Sequence, residues 1–149
     1  MHSPTTQPQR PEFMHALVRK EARCLLQYIG ESFPWAGHDR QKALHSILDI
    51  AKHEAHQIER LIRWCLKAKF GNPSLGPYPQ SFMGINFMSL EFLLPLLVDD
   101  QKKRIADLEW SMLSAPSEFQ GPLRDLIAAK IKHLEKMRGL IITPLPAAG

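Results

Sequence analysis

Residues 71 to 86 (Gly-Asn-Pro-Ser-Leu-Gly-Pro-Tyr-Pro-Gln-Ser-Phe-Met-Gly-Ile-Asn) place three glycines and three prolines between two long stretches of helical periodicity. Proline lacks the amide hydrogen a helix needs, and glycine in a helix interior costs about 1 kcal/mol relative to alanine, so this stretch is expected to be non-helical. Fully extended it could reach on the order of 50 Å, more than the length of a helical bundle. Leu75, Tyr78, Phe82, Met83 and Ile85 supply apolar anchors, which favours an ordered crossover over a slack link. A chain divided in this way folds as two helical hairpins joined by one long connection.

The flanking sequence fills in the hairpins. The first helix is expected over about 12–32, with Met14, Val18, Ala22, Leu25, Tyr28 and Ile29 as its apolar face. A Pro/Gly turn at 33–39 follows, with Asp39 as N-cap, and the second helix runs over about 40–70 until Gly71 stops it. The third spans about 87–113, with a kink expected at Pro95 and an inner stripe of Phe87, Leu90, Leu94, Leu97, Gln101, Ile105, Leu108 and Met112. Ser117 and Gln120 fit a capping box opening the fourth helix, about 117–141, although Pro122 could delay its start. Residues 1–11 read as a disordered leader and 143–149 as a flexible tail.

Four residues disagree with these apolar faces. Glu54 lies on the edge of the stripe that runs through Leu44, Ile47, Ala51, Ile58 and Cys65, and Glu21 lies inside the first helix's face. Gln101 and Lys130 occupy the middle of the third and fourth faces, with His133 on the flank. Glu21 and Glu54 are symmetric about the first turn, and Gln101 and Lys130 about the second, so each pair is level within its own hairpin. A carboxylate on an apolar face is costly unless paired, which predicts that Glu21, Glu54, Gln101 and Lys130 meet in one buried cluster. The plainer alternative has the acids at the bundle edge and Lys130 snorkelling to solvent. His53 and His56 are expected to point outward, Asp99 and Asp100 to bind nothing, and the methionines Met14, Met83, Met112 and Met137 to fill core.

Composition excludes several classes. The net charge is +4, but the basic residues are interleaved with acids and no zinc, phosphate-loop or nucleic-acid motif occurs, so nucleic-acid binding is not expected. No apolar run is long enough to span a bilayer. Two cysteines suit a reducing, cytoplasmic setting, and Cys24 and Cys65 stand about 21 Å out of register, beyond disulfide reach.

Two helical hairpins with a long crossover and inward carboxylates at mid-height resemble the ferritin-like superfamily, over residues 12–141. The resemblance implies an all-α, up-down-down-up four-helix bundle. It also implies a ligand pattern of Glu, Glu-x-x-His, Glu and Glu-x-x-His on successive helices. Position by position, these fall on Glu21, on Glu54 with Gln57 in place of His, on Gln101, and on Lys130 with His133. Only Glu21, Glu54 and His133 keep the ligand type. The resemblance therefore implies a non-enzymatic bundle of structural or interaction role, with a buried polar cluster of Glu21, Glu54, Gln57, Gln101, Lys130 and His133 in which Lys130 supplies the positive charge of a lost metal centre. The alternative is a working iron or manganese protein, its di-iron or manganese centre held by Glu21, Glu54 and His133. A third reading is a small apolar ligand bound near Phe82, Phe87 and Trp110. By the same analogy the chain is expected to form a homo-oligomer, with Trp35 and the crossover aromatics as interface candidates.

Overall fold

The computed structural model describes residues 9–32 and 34–142, so residues 1–8 of the expected leader and the expected tail 143–149 lie outside the described residues, while residues 9–11, expected to belong to the leader, are helical instead. The described residues form an all-helical fold of five α-helices: α1 (Gln9–Ala22), α2 (Leu25–Ser32), α3 (Gln41–Lys67), α4 (Leu90–Met112) and α5 (Ser117–Leu140). Short 3-10 helices cover His38–Arg40 and Gln80–Phe87, the second falling within the stretch 71–86 expected to be free of helix except for Phe87, where the third helix is expected to begin. No helix among the described residues is long and apolar enough to cross a membrane.

The expected first helix is broken in two. Nothing in Glu21-Ala22-Arg23-Cys24-Leu25 disfavours a helix; the break is held from outside, by Asp100 of α4, whose Oδ2 accepts the Leu25 amide at 3.3 Å. Asp100 is thus a tertiary cap and corrects the expectation that it binds nothing. Neither predicted side-chain cap forms. Asp39 falls inside the 3-10 turn ahead of α3, and Pro116 precedes α5 while Gln120 donates to the Ala115 carbonyl instead. Helix α5 nonetheless starts at Ser117, with Pro122 buried in its second turn, and α4 continues through Pro95. Gly71 is also not the residue that closes α3. Lys69 takes the left-handed conformation (φ 62°), Phe70 N donates to Cys65 O and Lys69 N to Leu66 O, the two bonds of a Schellman ending.

Helix α3 packs against α1, α2 and α5, and α4 against α5 and α2. Arg40, just ahead of α3, binds Glu91 at the start of α4 and the Leu140 carbonyl at the end of α5. Leu90 N donates to Trp35 O at 2.8 Å, so the end of α2, the starts of α3 and α4 and the end of α5 share one end of the molecule. The crossover runs back along α1 and α2. His15 donates to Gly71 O, Arg19 to Ser74 O, Arg23 to Gly76 O and Tyr28 to Asn86 Oδ1. Tyr78 and Phe82 pack on Tyr28, but Met83 is 64% exposed and anchors nothing.

The apolar core divides into two clusters. One holds Leu26, Ile29, Ile47, Leu90, Leu94, Leu97 and Met137; the other holds Met14, Val18, Leu61, Cys65, Phe119, Leu123 and Leu126. Along α3 the change from one to the other falls at Glu54, along α5 at Lys130 and His133, and along α1 near Glu21. Cys24 and Cys65, both buried free thiols, belong to different clusters.

Candidate functional site

The residues at that level come from four helices. On α3 the buried seam reads Leu44, Ile47, Ala51, Glu54, Ile58, Leu61, Cys65, in steps of three and four, so Glu54 stands in the seam itself. On α5 it reads Phe119, Leu123, Leu126, Lys130, Leu134 and Met137, with His133 beside it; Ile131 turns outward. Glu21, Glu54, Gln101, Lys130 and His133 are all buried, and Lys130 has no exposed surface.

They meet. Lys130 Nζ donates to Glu54 Oε1 at 2.7 Å and lies 3.1 Å from Glu21 Oε1, a contact too oblique for a good hydrogen bond. Gln101 Nε2 donates to Glu54 Oε2 at 2.8 Å and to the Lys130 carbonyl at 3.1 Å. His133 Nδ1 is 2.7 Å from Glu54 Oε2; an ionised carboxylate only accepts, so Nδ1 carries the proton. Gln57 is not part of the group and corrects the sequence reading. The α3 seam advances from Glu54 to Ile58, which turns position 57 to the flank, where Gln57 Oε1 accepts from Arg60 at 3.3 Å.

The two acids are held differently. Burial acts to raise both carboxyls. At Glu54 it is outweighed by the Lys130 charge and by hydrogen bonds from His133, Lys130 and Gln101, and the carboxyl falls below its ordinary range. At Glu21, Lys130 with more distant help from Arg104 does not offset burial, and the carboxyl is raised toward its neutral form. Lys130 is itself pushed down by burial, but Glu21 and Glu54 together hold its ammonium above the usual lysine range. Beside the layer, burial raises the Cys24 thiol to about 12, which leaves it without thiolate character near neutral pH.

His133 is where the layer approaches the surface. It lines a cleft of about 740 Å³ between α3 and α5, together with Ser46, Asp49, His53 and Lys136. The exposed ring of His53 meets it edge-on at 5.0 Å, a contact the outward reading of His53 missed, while His56 stays at the surface near Glu59. Phe82, Phe87 and Trp110 do not make a common pocket. Phe87 is 96% exposed, off the inner stripe of α4, and Trp110 is 76% exposed at the far end of that helix.

A metal pair at this level does not fit the residues present. An ammonium stands between the two carboxylates, and a second cation there would be repelled at short range in a medium that screens poorly. No group of three or more His, Cys, Asp or Glu among the described residues is arranged to hold an ion. Comparison with protein-family models, with curated proteins and with solved structures finds no match for the chain.

Proposed function

We propose that this protein is a ferritin-like four-helix bundle of structural or interaction role, non-enzymatic, in which a permanent ion cluster occupies the level where di-iron relatives hold metal. The observation that carries the reading is Lys130 Nζ, within 3.1 Å of both buried carboxylates and fully enclosed. An internal ammonium supplies what the metals would otherwise supply: positive charge at the convergence of inward acids. The shared end of α2, α3, α4 and α5 and the pinned crossover support an up-down-down-up order. The two buried thiols suit a reducing, cytoplasmic setting. The test is metal analysis of protein purified from iron- and manganese-supplemented medium, with thermal unfolding before and after chelation. Metal well below one atom per chain and an unchanged unfolding temperature are expected; a stoichiometric metal whose removal lowers that temperature overturns the proposal.

A further inference from the structure

Helix α4 carries a second seam on the side turned away from the core. Phe92, Leu96, Asp99, Lys103, Ala106 and Trp110 follow one another in steps of four and three, and all six are exposed. Phe92 and Trp110 are 72% and 76% exposed, large apolar areas for one solvent-facing stripe. That spacing is the signature of a helix that pairs with another helix, and here nothing in the described chain covers it.

The stripe is complementary to itself. Reflected about Gln101, the helix carries Phe92 onto Trp110, Leu96 onto Ala106 and Asp99 onto Lys103. Two antiparallel copies of α4 related by a two-fold axis at that level therefore set acid against base twice beside the axis. A small residue faces Leu96, and an aromatic pair closes each end. Steps of four and three also alternate in the order an antiparallel pair requires, each position meeting its counterpart of the other kind. A foreign helix would have no reason to match this internal symmetry. We infer that the outer face of α4 is an isologous dimer interface, its occupant a second copy of this chain with α4 antiparallel and centred on Gln101. The stripe spans about five helical turns, which places the interface at the small end of specific ones and makes association concentration-dependent. The inference stands apart from the reading of the buried layer.

Sedimentation of the full chain over a range of concentrations tests it. A monomer–dimer equilibrium is expected. Asp99→Lys sets like charges across the axis and should weaken the dimer by about tenfold or more, and Asp99→Lys/Lys103→Asp should restore it. Register is read by cross-linking. Leu96→Cys with Ala106→Cys should give an interchain disulfide, whereas Leu96→Cys alone leaves the two thiols about 15 Å apart along the axis and should not. A monomer at every concentration, a dimer indifferent to the charge change, or equal cross-linking by the single variant overturns the inference. Unchanged helical circular dichroism confirms that these surface variants fold.

Discussion

Glu54 and Glu21 belong to one buried layer, both within reach of Lys130, and their carboxyls are pushed in opposite directions. The α3 side is complete: three side chains from two other helices give Glu54 donors at 2.7 to 2.8 Å, enough to keep a buried carboxylate charged. The α1 side has one oblique ammonium, and a small cavity of about 130 Å³ opens beside it between α1 and α4. The difference teaches that burial alone does not decide an acid's state. The number and aim of the donors decide it, and those are set by which helices flank the acid. Glu54 faces α4 and α5 together; Glu21 is the last residue but one of α1, just ahead of the break toward α2.

Removing the shared cation should have the largest effect, because it undoes both sides at once. Lys130→Met is expected to cost about 3–5 kcal/mol in chemical denaturation, since it strands a charged Glu54 in the core. A loss near zero would mean that neither acid depends on it. Next comes Glu54→Gln, expected to cost about 2–3 kcal/mol, as it weakens three charge-assisted bonds together. Glu21→Gln should change stability by less than about 1 kcal/mol at neutral pH, because an amide resembles the carboxyl form toward which Glu21 is pushed. If the two glutamine variants reversed this order, the assignment of states would be inverted.

The pH dependence sharpens the same contrast. Glu54 is lowered on folding, so its contribution is present above the ordinary carboxylate range and is lost as pH falls through its folded value. Glu21 is raised, so its contribution is present below that range and is lost as pH rises through its folded value. Stability of the parent relative to Glu54→Gln should therefore decline on acidification, and relative to Glu21→Gln should decline toward neutrality. Denaturation at several pH values reads both slopes, and slopes of one sign would break the comparison.

Much of this layer was legible in the chain because a charge in an apolar seam is expensive, and two pairs of such residues stood level within their hairpins. Gln57 came from the family's Glu-x-x-His spacing and not from the seam, which passes from Glu54 to Ile58 and leaves position 57 on the flank. His133, three residues past Lys130, belongs to the layer because its Nδ1 meets the Glu54 carboxylate at 2.7 Å. The crossover's fastenings were less visible. Its apolar residues are conspicuous in the chain, whereas its carbonyls are held by His15 and Arg19 on α1 and by Arg23 just past the end of that helix.

From the amino-acid order alone came the helices, the two hairpins and the group of polar residues bound to share a level, because periodicity and the cost of a lone buried charge are properties of local spacing. Only the folded molecule decided where α1 gives way to α2, which side chains truly touch, and which glutamate leans toward neutrality. Those outcomes depend on groups far apart in sequence, such as Asp100 at Leu25 and His133 at Glu54, whose meeting is set by how the helices pack.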